Sequence, residues 1–462
     1  VQRKFISNLI ILQLLNWLIK PVWIFWIEVK VQNTLGNIWY GEYYAVFGLA
    51  LLFNILLDFG LNNYVASRVA QSNEHHIPGR IFRLRMLLAL FYIVLVALFG
   101  LLQHMEPWLL GLVVLNQLLA SFTLFYRAVL QGRQLFRTDS LASVADRLVA
   151  ILVIGWFIGT GAFNAYNGLK IFLLAQTAGY VVALCFSWYY SRRGTVISAD
   201  GETKLRDLLN STAWFAVLAF AMAVFTRIDT QMLKNMVNDG AVGGYARSFR
   251  FLDAALIFST LISSQLLPLF SRMLSKSENT DGLIWLNTRI ILLVALPLAA
   301  TGAYFGADIL NLFYHTGVNS CSPKSRVFHL LMVSFIPMAM VHVFGTWLTA
   351  AGKLKFLSFS AIGCMLLNVG LNFWLIPRYG ALGTAMACLI TQSVFAMLCI
   401  AGTIKNNGFQ FTIKRLLQLL LWSAAAEVVF GLWHLQGSGL LMLTAAGASW
   451  FIAVLLTGMF WP

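Results

Sequence analysis

The chain has 462 residues, of which 60% are hydrophobic, 14% aromatic and only 11% charged. A soluble protein of this length carries about 25% charged residues, so a soluble fold is excluded, and the alternating pattern of a transmembrane β-barrel is absent. The net charge of +15 needs no nucleic acid to explain it, because the cytoplasmic loops of membrane proteins are rich in Lys and Arg.

Apolar windows long enough to cross a bilayer recur along the whole sequence. About fourteen spans are expected, at roughly 5–27, 43–66, 86–103, 108–130, 141–160, 169–190, 212–233, 246–272, 287–306, 328–350, 356–376, 383–403, 415–434 and 438–460. Arg3 and Lys4 precede the first without a convincing small-x-small cleavage site after it, so it reads as a retained helix, interrupted by Lys20 and Pro21. With the N-terminus in the cytoplasm, 21 of the 32 Lys and Arg fall on the inner side, Arg85 and Arg127 among them, and 8 on the outer side. Lys20, Arg147 and Arg227 fall inside spans. That bias predicts an all-α polytopic, multi-pass membrane protein with both termini cytoplasmic. The longest outer connections are expected near 27–42 and 307–327, too short for a soluble domain.

A weak internal echo divides the chain. "YGEYYAVFGLALLFNILLDFGLNNYVASRVA" (40–70) and "VGGYARSFRFLDAALIFSTLISSQLLPLFSRM" (242–273) both open with Gly-x-Tyr-like segments after an outer loop and run to a basic inner end. "NAYNGLKIFLLAQTAGYV" (164–181) echoes "IPRYGALGTAMACLITQSV" (376–394). Residues 1–200 (helices 1–6) and 201–410 (helices 7–12) then form two six-helix lobes related by a parallel repeat, and 411–462 add two C-terminal helices.

Polar residues form stripes on four of these spans. Span 1 carries Gln13, Asn16 and Lys20; span 2 carries Asn54, Asp58 and Asn62; span 7 carries Arg227 with Gln231 one turn on; span 8 carries Arg247, Arg250, Asp253, Thr260 and Ser264. Arg227 and Asp229 are two residues apart and point about 200° away from each other on a helix, so one is expected to face a cavity and the other a neighbouring helix. A charge at the bilayer centre costs roughly 2.5–3.5 kcal/mol, so Lys20, Asp58 and Arg227 are expected to face a water-filled cavity between the lobes. The amides suit hydrogen bonds across helix interfaces equally well. Arg250 and Asp253 can pair at i, i+3, and Asp146 and Arg147 are expected at the inner interface. A cavity with Lys20, Arg227, Arg247 and Arg250 is net positive, since Asp58, Asp229 and Asp253 offset only part, and arginine forks suit phosphate oxygens.

Enzyme signatures are missing. "GTWLTAAGK" (345–353) has the wrong spacing for a phosphate loop, and neither H-E-x-x-H nor G-x-S-x-G occurs. The five cysteines are scattered, so no disulfide framework or metal site is expected. No catalytic residue and no cofactor is expected; coupling to an H⁺ or Na⁺ gradient through Asp58, Asp229 or Asp253 is an open alternative.

"LLDFGLNNYVASRVAQ" (56–71), "TRIDTQML" (226–233), "VGGYARSFRFLD" (242–253), "LPLFSRM" (267–273) and "LNFWLIPRYGALGTAMACLITQ" (371–392) together resemble the polysaccharide transporter family of the multidrug/oligosaccharidyl-lipid/polysaccharide exporter superfamily, the Wzx-type flippases. The resemblance implies a V-shaped pair of six-helix lobes working by alternating access. It implies transfer of undecaprenyl-diphosphate-linked oligosaccharide, an O-antigen or exopolysaccharide repeat unit, from the inner to the outer leaflet of a bacterial cytoplasmic membrane. Membrane lipids, a polysaccharide polymerase and a chain-length regulator are the partners it suggests. In such proteins helices 1, 2, 7 and 8 line the cavity. Lys20 and Arg227 stand where relatives place basic residues; Asp58 stands where they place an arginine. The alternatives are a multidrug or cation antiporter of the same superfamily, which favours a cavity of carboxylates and aromatics, and a membrane glycosyltransferase or polymerase, which needs a large outer loop.

Overall fold

The computed structural model describes residues 19–59, 61–62, 65, 69, 77–133, 135–192, 197–198, 205–314, 322–407, 412–437 and 439–456. Gln13, Asn16 and most of the expected first span lie outside them. Almost everything described is helical. Besides short turns, the described residues include one two-residue parallel bridge, β1 (Ile77–Pro78) against β2 (Ile197–Ser198). Among the described residues ten helices are long and apolar enough to cross a membrane. The chain is therefore a multi-pass helical membrane protein.

Two compact units are present, Val1–Gln231 and Met232–Pro462. The first contains α1 (Trp23–Glu28), wound as a π-turn, then α2 (Val29–Leu52), α3 (Ile55–Asp58), α4 (Gly79–Leu102), α5 (Pro107–Gly132), α6 (Phe136–Gly159), α7 (Gly168–Arg192) and most of α8 (Leu205–Met236). Within the loop expected at 27–42 most residues are helical, and two helical stretches meet at a kink at Gly36, whose φ of 73° suits glycine. Hydropathy sees only the lipid-facing length, whereas hydrogen bonding continues the helix beyond it. α2 ends at Leu52, and after the short α3 Phe59 takes a left-handed φ of 45°, so the second span is broken near its polar stripe.

α6 and α7 pack tightly, and one glycine makes this possible. A Cβ at Gly179 would stand 2.2 Å from the Asp146 carbonyl oxygen, so only glycine lets the two backbones meet there. The neighbouring Tyr180 is thereby brought against α6.

The second unit contains α9 (Asp239–Ser275), α10 (Asp281–Tyr304), α11 (Gly306–Tyr314), α12 (Pro323–Ala350), α13 (Leu354–Tyr379), α14 (Ala381–Asn407), α15 (Ile413–Gln436) and α16 (Leu440–Leu456). α12 is its central helix, packed on α9, α10 and α14. Its fully buried side chains include Phe335, Phe344 and Trp347. α13 and α14 are tied by a buried polar contact, in which Asn368 Nδ2 of α13 donates to Thr391 Oγ1 of α14 at 3.5 Å; within α13, Asn372 Nδ2 donates to Asn368 Oδ1 at 2.9 Å and so orients that amide.

Candidate functional site: basic side chains inside the membrane helices

Arg227 lies on α8, which meets the tyrosine-rich face of α2. Tyr40 and Tyr44 stack there with ring centroids 6.2 Å apart. Arg227 Nη1 donates to Tyr44 Oη at 3.1 Å, and one turn further on Gln231 Nε2 donates to the Ala45 carbonyl. Arg227 itself is half-buried, while Asp229 is 1% exposed. Asp229 Oδ1 accepts from the Thr230 backbone N–H at 2.8 Å. The two charges of this helix thus occupy different surroundings, as their angular separation requires.

Lys20 is half-buried and stands within electrostatic range of Arg147, Arg127 and Asp146. Arg147 was expected at the inner interface. It lies eleven residues into α6, roughly 16 Å along a helix rising about 1.5 Å per residue, since α6 starts at Phe136. Its guanidinium sits 4.7 Å over the Trp23 ring and 5.9 Å from the Tyr180 ring centroid. It donates to Tyr180 Oη at 3.4 Å and lies 3.6 Å from Asp146. The Trp23 indole in turn donates to the buried Glu28 at 2.8 Å. Sequence reasoning missed this aromatic-framed cation; the signal was the run of Trp, Glu and Tyr residues at 23–44, read as an outer loop and its flanks.

Asp58 and Asn62 meet a residue that sequence reasoning had placed in a basic loop. Arg85 is 1% exposed, within α4. Its Nη1 donates to Asn62 Oδ1 at 3.1 Å, and its Nη2 reaches Ser121 Oγ at 2.6 Å and the Ser121 carbonyl. Asp58 Oδ1 accepts the Asn62 backbone N–H at 3.0 Å. The rings of Phe122 and Phe125 flank the guanidinium at 5.3 and 4.8 Å. This network secures the broken second span to α4 and α5. Arg127, counted on the inner side, is paired inside unit one with Asp139 at 2.7 Å.

In the second unit Arg250 Nη1 lies 3.3 Å from Asp253, the expected i, i+3 pair. Arg247 places its guanidinium 5.0 Å over the ring of Tyr314, and Tyr314 Oη donates to the Arg247 carbonyl at 3.3 Å. Asn54 forms the start of α3. Among the described residues no group of three or more His, Cys, Asp or Glu side chains could hold a metal ion.

What this arrangement can do chemically is hold positive charge in an apolar setting without burying all of it. Arg227, Lys20, Arg147 and Arg247 are all half-buried, and cations so placed attract anionic groups more strongly than they would in water.

Comparisons with known proteins agree with a transport fold. A probable low-salt glycan biosynthesis flippase, Agl15, of Haloferax volcanii is 23% identical over 371 residues, 76% of this chain and 75% of that one. A probable lipid II flippase MurJ of Helicobacter pylori is 27% identical over 185 residues, covering 38% of this chain and 39% of that one. Among solved structures, a lipid II flippase MurJ in an inward closed conformation matches with a TM-score of 0.71 at 13% identity, covering 98% of this chain and 99% of that one. An inward-facing MATE family multidrug resistance transporter matches at 0.60 and 15% identity, covering 87% and 98%. The model of the family described as "Polysaccharide biosynthesis protein" matches residues 3–274, more than half of the sequence, and the chain belongs to that family.

Proposed function

We propose that the chain is a flippase for lipid-linked oligosaccharide. The observation that carries this is the likeness to the Agl15 flippase over three quarters of both chains. Basic side chains half-buried in apolar helices support it, because a lipid-linked diphosphate needs a cationic path through a medium that penalises its charge. The substrate in this reading is an undecaprenyl-diphosphate-linked O-antigen or exopolysaccharide unit, moved from the inner to the outer leaflet of a bacterial cytoplasmic membrane by alternating access. Fourteen spans, a parallel repeat of six helices plus two, and cytoplasmic termini complete it. Lys20, Arg147 and Arg227 of the first unit and Arg247 and Arg250 of the second are assigned to the anionic head. Asp58, Asp229 and Asp253 are candidates for exchanging H⁺ or Na⁺ during the cycle; a transfer rate unchanged when both gradients are collapsed would remove them. A polymerase and a chain-length regulator are proposed partners.

The test is leaflet transfer in liposomes of a fluorescent undecaprenyl-diphosphate-oligosaccharide, with wild type beside Arg227→Ala and Arg227→Lys. Transfer by wild type, lost in the alanine variant and partly kept in the lysine variant, is expected. Equal transfer by all three returns Arg227 to a packing role on Tyr44. No transfer by folded wild type, with uptake of a cationic dye in its place, would make the chain an antiporter.

A further inference from the structure

The end of the first unit away from the basic residues Arg127, Arg133 and Arg192 carries a cavity of about 520 Å³ that the transport path above does not use. By the bias of positive charge this is the outer end. The cavity is lined by Trp39, Glu106, Trp108, Tyr166 and Lys170 and by the buried Leu169. Its volume falls in the range of about 300–1,000 Å³ typical of small-molecule sites. Lys170 Nζ stands 5.6 Å from the Trp108 ring centroid, so the ammonium and one indole share a wall.

The loop that completes this cavity is built rather than loose. Asn164 Oδ1 accepts the backbone N–H groups of both Tyr166 (3.0 Å) and Asn167 (3.1 Å). Asn167 answers: its Oδ1 accepts the Asn164 N–H at 3.1 Å and its Nδ2 donates to the Ala162 carbonyl at 2.9 Å. Side chains that bond to nearby backbone fix a turn in this way. The turn holds Tyr166 out with 98% of its surface exposed. An aromatic belt at the membrane surface places rings at helix ends, where headgroups cover them; it gives no reason to clamp a loop that presents a bare phenol beside a carboxylate and an ammonium.

We propose that this cavity is a carbohydrate-binding subsite, which takes the glycan part of the transported lipid as it emerges on the outer side. Flat aromatic faces stack on the apolar C–H face of a pyranose while the polar tip of a Tyr or Trp donates. Glu106 accepts from sugar hydroxyls, and Lys170 donates to them or pairs with an acidic sugar. The identity of the ligand as transported cargo rests on the flippase reading; binding of sugar does not.

The test uses saturation-transfer difference NMR on the full chain in nanodiscs, with N-acetylglucosamine, galactose and glucuronic acid as separate probes. Wild type is expected to give ring-proton signals with at least one, reduced at least 5-fold in Tyr166→Ala and in Trp108→Ala. Tyr166 is bare, so its substitution leaves folding intact, and a thermal melt verifies this. No signal from any of the three sugars, signals unaffected by both substitutions, or displacement of the sugar by glycerol phosphate as a lipid-headgroup probe would overturn the proposal. Sugar binding without leaflet transfer would leave the subsite standing and sink the flippase reading, whereas transfer that persists without sugar binding would do the reverse.

Discussion

The guanidinium of Arg147 lies 4.7 Å over the ring of Trp23, and the same indole donates from Nε1 to Glu28 at 2.8 Å. One aromatic ring therefore joins a cation on its face to a carboxylate at its edge. Arg147→Ala leaves Asp146 without that cation and is expected to cost about 1–2 kcal/mol of stability, between the scale of a surface ion pair and that of a fully buried one. Arg147→Lys keeps the charge but loses the planar stack, and should cost about 1 kcal/mol. A double-mutant cycle with Trp23→Phe, read from unfolding in detergent, should give a coupling of about 1 kcal/mol between the two positions. Additive effects would mean that the ring and the cation do not interact.

Arg85 donates to Ser121 and Asn62 from the buried side of α4. Arg85→Met keeps most of the volume but strips the donors from the Ser121 carbonyl and from Asn62. A loss of about 2–4 kcal/mol is expected from the stranded polar groups. Asp58→Asn removes the carboxylate that faces Arg85, so the double variant should lose less than the sum of the singles. Size-exclusion thermostability reads both; a full sum would place Asp58 outside the network.

These two arginines mark the limit of what the sequence makes legible. Helical character and apolar spans are readable throughout, because apolar runs of about 20 residues have few other meanings. Lys20 and Arg227 stand out as charges within such runs. Arg85 does not, because α4 begins at Gly79, several residues before hydropathy turns apolar; Arg147 falls inside a span, but nothing local in the sequence says what it touches. Basic residues in an opening turn look the same as basic residues in an inner loop. What separates them is the partner, and the partners Ser121, Trp23 and Tyr180 are 36, 124 and 33 residues away in the chain. The same blindness made the expected loop longer than the break at Gly36: Glu28, Lys30, Gln32 and Asn33 are polar, and only the backbone hydrogen bonding shows that the helix runs through them before the chain kinks.

Tyr44 is 1% exposed and accepts from Arg227 at 3.1 Å. Tyr44→Phe preserves the stack with Tyr40 and removes only the hydroxyl. Stability should change by no more than about 1 kcal/mol, while leaflet transfer should fall roughly 3- to 10-fold if the hydroxyl orients a cation that touches substrate, since each 1.4 kcal/mol of lost orientation is tenfold in rate. A fall in stability with no fall in transfer per folded molecule would make the hydrogen bond purely a packing device between α2 and α8.

Gly179 is the position where α7 meets the Asp146 carbonyl. A Cβ at 2.2 Å from that oxygen cannot be accommodated without separating the helices, because the obstacle is backbone rather than a flexible side chain. Gly179→Ala is therefore expected to destabilise by about 1–3 kcal/mol, as overpacking does, even though alanine is the better helix former by about 1 kcal/mol. Its second effect is local. Pushing α7 away carries Tyr180 off Arg147, whose hydrogen bond to the phenol is already long at 3.4 Å. Combining Gly179→Ala with Tyr180→Phe should then cost less than the two singles together, because the first substitution has already removed what the second deletes. Thermal unfolding of the three variants measures this, and strict additivity would show that the helices part without disturbing the arginine.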